Sequence, residues 1–133
     1  MTSEPPATIL LVSSESVVRS VLREVLERAG HIVLATDNLG TGVELLAECP
    51  VDLLMTHPYI ESMPGYEAAK YLRARNPRMA VLVVAGLLND DRIRLPADLE
   101  EFEIFPPPFT ARQLLEKVEK TLRATREREV ERN

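Results

Sequence analysis

The residues with chemistry to offer gather at the ends of apolar runs. Ser13, Ser14 and Glu15 follow Ala7–Val12, and His57 follows Val51–Thr56. A serine beside a histidine supplies two parts of a nucleophilic device, which also needs a group to orient the imidazole. No carboxylate is placed for that role, and no G-x-S-x-G elbow is present. Serine hydroxyls ahead of a helix can help its N-terminus hold an anion. The loop has neither G-x-G-x-x-G nor G-K-[ST], however, and serine before a helix is also an ordinary cap. A Mg²⁺ site needs hard oxygen ligands, usually carboxylates. Glu15 and Glu61 are the acids near the ends of these runs, while Asp52 sits at the opposite end of its own. Glu15 falls where a helix dipole favours a carboxylate in any case. His57 reads as a loop histidine bonded to backbone or water, or as a switch that works through imidazole protonation. His31, next to Gly30, reads as structural, and Met55 and Met63 as core and loop filler.

Positioning these residues takes a series of alternating elements. Ala7–Val12 reads as a strand buried on both faces. Apolar residues at 17, 18, 21, 22, 25, 26 and 29 form a helical stripe, which Gly30 terminates. His31–Thr36 is a second strand. Residues 38–48 are a helix weakened by Gly40 and Gly42 and ended by Pro50. Val51–Thr56 is a third strand, Tyr66–Asn76 a helix, and Ala80–Gly86 the most apolar strand. Pro96 breaks or kinks any helix through residues 87–101. Phe102–Phe105 is a short fifth strand, after which Thr110 and Gln113 make a capping box, T-x-x-Q. That helix buries Leu114, Leu115, Val118 and Leu122. Beyond it, residues 124–133 are a charged helical extension or tail. Strand–helix alternation with short connections predicts a parallel sheet covered on both faces. Its functional edge lies beyond the carboxyl ends of the strands, at Ser13-Ser14, His57, Ala85 and Pro106-Pro107.

The 133 residues suit one domain. A net charge of −5 argues against non-specific nucleic-acid binding. The single cysteine, Cys49, fits a reducing cytoplasm, and no apolar run is long enough to span a bilayer.

With the strand ends laid out, residues 9–123 resemble a receiver domain of bacterial two-component response regulators. The resemblance is carried by "ILLV…VVRSVLREVLERAGHIVLAT", "VDLLMTHPYIESMPGYEAAKYLRARNP", "AVLVVAG" and "PPFTARQLLEKVEKTL". It implies a flavodoxin-like, doubly wound five-stranded parallel sheet of strand order 2-1-3-4-5, here with an irregular fourth helix. Residues 1–8 become a disordered tail and 124–133 lie outside the fold.

The resemblance also shows what differs. The two acids that hold Mg²⁺ in a working receiver fall on Ser13 and Ser14. The phosphate-accepting aspartate falls on His57, the hydroxyl residue ending the fourth strand on Ala85, and the lysine on Pro107. The aromatic residue that moves with the hydroxyl falls on Ile104. The acceptor-loop methionine-proline appears as Ile60 and Glu61, while Gly65 keeps its place. The spacing from Ala85 to Pro107 is that of the family. Without metal ligands or a cation, charge on a phosphoryl group has nothing to offset it.

The chain therefore reads as a degenerate receiver, or pseudoreceiver. It is a non-enzymatic cytoplasmic signalling module without metal or cofactor, and its partner is another signalling protein rather than nucleic acid or membrane. The docking face would hold Glu100, Glu101, Phe102 and Phe105. Two alternatives stay open: a small-ligand or anion sensor in the vacated pocket, and a residual phosphoacceptor at His57.

Overall fold

The computed structural model describes residues 6–56, 59–60, 63–84, 103–105 and 110–132. Five parallel strands form the main sheet: β1 (Thr8–Val12), β2 (Ile32–Thr36), β3 (Leu53–Thr56), β6 (Ala80–Val84) and β7 (Glu103–Phe105). Their order is β2-β1-β3-β6-β7, which is the expected 2-1-3-4-5. The helices are α1 (Ser16–Arg28), α2 (Leu39–Glu48), α3 (Gly65–Arg75) and α4 (Ala111–Arg132). Between β3 and α3, two short strands, β4 (Tyr59–Ile60) and β5 (Met63–Pro64), pair antiparallel. Nothing in the residue pattern signals this small ribbon.

Alternation along each strand divides the core in two. Ile9, Leu11, Val33, Leu53, Met55, Ala80 and Leu82 face one side. There they pack with Val18, Leu22 and Leu26 of α1 and with Leu114, Val118 and Leu122 of α4. Leu10, Val12, Leu54, Val81 and Val83 face the other side, with Ala68, Ala69 and Leu72 of α3 and the apolar residues of α2. Both faces are covered, which is why the strands read as nearly continuous apolar runs. The stripe on α1 is only half used: Val17 and Val21 remain 74% and 45% exposed.

Helix ends follow from local chemistry. After α1, Gly30 takes φ +98°, where a Cβ is disfavoured. Its N–H reaches Glu27 O at 3.0 Å, and the His31 N–H reaches Leu26 O at 3.2 Å, the paired bonds of a Schellman stop. Asn38 caps α2, its side-chain oxygen accepting from Thr41 N at 2.8 Å. The capping box on α4 forms reciprocally. Gln113 N donates to Thr110 Oγ1 at 3.1 Å and Thr110 N to Gln113 Oε1 at 2.8 Å.

Two expectations change and one open alternative is decided. Residues 7 and 8 belong to the fold rather than to a tail: Ala7 is buried, and Thr8 opens β1. One reason is a backbone-to-side-chain bond, Ala7 N donating to His31 Nδ1 at 3.0 Å, which composition alone does not reveal. No serine caps α1; Glu15 holds the N-cap position without a side-chain cap bond. Of the two readings of the final segment, the helical extension is the one found, since α4 runs unbroken through Arg132, with residues 124–126 half-buried. Pro96 and the irregular fourth helix lie outside the described residues.

Candidate functional site

Register fixes which strand ends meet. Val12 lies opposite Thr36 and Thr56, Thr56 opposite Val83, and Val84 opposite Phe105. The carboxyl ends of β1, β3, β6 and β7 therefore form one continuous edge, with β2 beside β1. Ser13 follows β1 directly. His57, Ala85 and Pro107, which the sequence assigns to the same edge, lie outside the described residues, as do Glu61, Glu100, Glu101 and Phe102. Ile104 and Phe105 are described through the backbone of β7, where Ile104 pairs with Val83.

Ser13 is fully buried, and its polar groups are engaged within the protein. Its N–H donates to Thr36 O at 3.0 Å, extending the β1–β2 ladder by one residue. Its Oγ donates to Glu15 O in a long contact of 3.4 Å. Its carbonyl oxygen accepts from Arg19 Nη1 at 2.7 Å. Ser14 and Glu15 are exposed. Thr56, fully buried, completes the described floor of this edge.

These residues do not fit a divalent cation. Magnesium takes oxygen ligands in near-octahedral array, with one or two carboxylates supplying charge. Ser13 offers a neutral hydroxyl turned to a backbone carbonyl, and its own carbonyl faces a guanidinium. That guanidinium adds positive charge where a second cation would have to sit. Among the described residues no three of His, Cys, Asp or Glu cluster in metal-binding geometry.

The sequence reading missed Arg19. The available signal was its place on the first turn of a helix that follows a strand end directly, close enough to reach back over the loop.

Two other titratable residues lie at the opposite edge of the sheet. Asp52 Oδ2 accepts from Thr8 N at 2.8 Å, so this carboxylate ties β3 to β1 and stays away from the Ser13 edge. His31 is buried, and it accepts the Ala7 N–H, which requires an unprotonated Nδ1. Burial holds its pKa below the usual histidine value, with the Glu119 carboxylate on α4 pulling the other way. His31 is thus a structural acceptor, as the sequence suggests.

A family model described as "Response regulator receiver domain" matches residues 9–119. This chain belongs to the response regulator receiver family. The receiver is 32% identical over 118 residues to the response regulator receiver protein CpdR of Brucella abortus, covering 86% of this chain and 95% of that protein. It is 28% identical over 116 residues to the DNA-binding transcriptional regulator NtrC of Azospirillum brasilense. That match covers 87% of this chain and 24% of the regulator, so the receiver spans about a quarter of that relative's length. Among solved structures, it superimposes on the signal receiver domain of an HD domain-containing protein from Pseudomonas fluorescens Pf-5. The TM-score is 0.81 at 20% identity, covering 97% of this chain and 96% of that one. A CheY-like receiver domain protein from Methanospirillum hungatei JF-1 gives a TM-score of 0.77 at 19% identity, covering 93% and 99%. At these identities the structural likeness establishes the receiver fold. Among the described residues no helix is long and apolar enough to cross a membrane.

Proposed function

We propose that this receiver is a pseudoreceiver, a cytoplasmic, non-enzymatic signalling module that works by phosphorylation-independent protein–protein interaction. The observation that supports this reading most is Ser13. At the position where the family carries a metal-holding acid, the chain has a buried serine whose hydroxyl, N–H and carbonyl all serve the protein itself. Ser14 beside it is a hydroxyl as well, and the sequence puts His57, Ala85 and Pro107 where the acceptor aspartate, the phosphate-contacting hydroxyl and the lysine would be. A phosphoryl group developing charge there lacks the acids, hydroxyl and lysine that the family supplies, and the cation described at this edge, Arg19, is already bonded to the Ser13 carbonyl.

The partner is another signalling protein, met through the face that carries Glu100, Glu101, Phe102 and Phe105. Aromatic anchors at such a face would carry much of the affinity, above ~2 kcal/mol each on truncation. The engaged state of Ser13 weighs against a small-ligand pocket at the same edge.

The test is a Mg²⁺ titration followed through the amide signals of Ser13, Ser14 and Thr56. These signals stay in place under the proposal. Saturable movement of all three in the millimolar range would mean that a metal site has survived.

A further inference from the structure

His31 stands between the chain entering β1 and the helix α4. Its Nδ1 accepts the Ala7 N–H at 3.0 Å, and Ile32 N donates to Ala7 O at 2.9 Å. Pro6 has no N–H to give, so the Ala7 amide is the first backbone donor among the described residues. On the other side, Val118 and Leu122 of α4 flank Glu119 along the helix. Both share a core with Ala7 and with Leu26, whose carbonyl accepts the His31 N–H.

A neutral imidazole that accepts at Nδ1 carries its proton at Nε2. That nitrogen is buried and has no hydrogen-bond partner among the described residues, and the same holds for Glu119 Oε1. One is a donor and the other an acceptor. Burial disfavours the imidazolium, and Glu119 is close enough for its charge to favour it. A metal ion does not suit the pair, because it would need the Nε2 lone pair and so force the proton onto Nδ1, against the Ala7 N–H. The other charged groups on the surrounding elements are engaged or exposed. On α1, Glu24 pairs with Arg28 and Glu27 with Arg23 in exposed positions. Asp52, at the entry to β3, accepts from Thr8 N, and Lys120 and Arg123 of α4 are exposed.

We propose that His31 is a proton-operated clasp, holding Ala7 when neutral and, when protonated, letting Ala7 go and bonding Glu119 of α4. The proton comes from solvent and sits on Nδ1, which can then no longer accept. The Ala7 N–H is freed, and the imidazolium donates from Nε2 to the Glu119 carboxylate in a charge-assisted bond. Acid thus loosens the entry to β1 and ties α4 more closely to the ring. The inference does not rest on the phosphorylation-independent reading, since His31 and Ser13 lie at opposite edges of the sheet.

The experiment is an NMR titration of the full chain downward from pH 8, following the ring nitrogens of His31 and the exchange protection of the Ala7 and Leu10 amides. At pH 8 the ring is expected as the Nε2–H tautomer. As it takes up its second proton, protection at Ala7 should fall about ten-fold or more, while Leu10, in the middle of β1, keeps its own. In Glu119→Gln, which retains the size of the side chain and removes its charge, the ring should protonate at a lower pH with the Ala7 bond intact at pH 8. Should that variant fold poorly, the tautomer and the two amides of the wild type decide alone. An Nδ1–H tautomer at pH 8 overturns the proposal. So do Ala7 protection indifferent to His31 protonation, Leu10 protection lost in step with that of Ala7, a ring that stays neutral until the whole chain unfolds, and an unchanged midpoint in Glu119→Gln.

Discussion

Arg19 closes the loop between β1 and α1 by donating from Nη1 to the carbonyl oxygen of Ser13 at 2.7 Å. The bond runs from the first turn of a helix back to the residue that ends the preceding strand. It fixes the Ser13 backbone while placing a positive charge at the edge where receivers carry out their chemistry. A loop that holds a divalent cation is better served by negative charge on that side.

Replacing Arg19 by Met keeps much of the apolar stem and removes the donor. The Ser13 carbonyl then loses a hydrogen bond to a charged group, an interaction worth about 1.5–3 kcal/mol. Because Arg19 is only half-buried, the lower end of that range is expected. Urea denaturation of the wild type and the variant at pH 7.5 reads the difference directly.

The half-used stripe of α1 gives a paired prediction. Leu22 is 1% exposed against the sheet, and Leu22→Ala should lose about 2–5 kcal/mol. Val17 on the same helix is 74% exposed. Val17→Ala should therefore change stability by no more than about 0.5 kcal/mol. Equal losses in thermal denaturation would mean that α1 is rotated from the orientation described.

His31 sets a pH dependence. Its folded-state pKa lies below its unfolded value because burial disfavours the imidazolium, partly opposed by Glu119. The unfolded chain therefore binds the extra proton more readily. Stability is fully present above the unfolded value, near 6.5, and is lost as pH falls from there through the folded pKa. Thermal midpoints measured from pH 8 to pH 5 should decline below about 6.5. His31→Phe, which also deprives Ala7 N of its acceptor, should be less stable at pH 8 and show a flatter decline.

Thr110→Ala removes one half of the capping box on α4 and should cost about 1 kcal/mol. Thr110→Ser, which retains the hydroxyl, should recover most of it. The two variants compared by chemical denaturation separate capping from general perturbation of the loop.

The sheet was legible because both of its faces are buried. Runs such as Leu10-Leu11-Val12 and Leu53-Leu54-Met55 have no polar interruption, and helical stripes with recognisable stops separate them. Gly30 was readable from its neighbours alone, since a stop of its kind is local. Features that depend on contacts between distant residues were not readable. The resemblance begins at residue 9 and leaves residues 1–8 as a tail, yet His31, 24 residues beyond Ala7, accepts the Ala7 N–H and draws it into the fold. The β4–β5 ribbon has two residues per strand, too few to show a period. At the candidate site, the position of Ser13 followed from the end of β1. Its engagement by Arg19 did not, because an arginine on a helix is ordinarily solvated. The half-burial of Thr125 and Arg126 was hidden for the same reason: charged composition gives no hint of a neighbouring strand entry.

The most direct measurement is intact mass after incubation with acetyl phosphate and Mg²⁺, with a phosphorylatable receiver treated alongside. The account predicts that the control gains one phosphoryl group while this protein keeps its mass. A stoichiometric phosphoryl adduct on this chain, at His57 or at a serine of the β1–α1 loop, would contradict it.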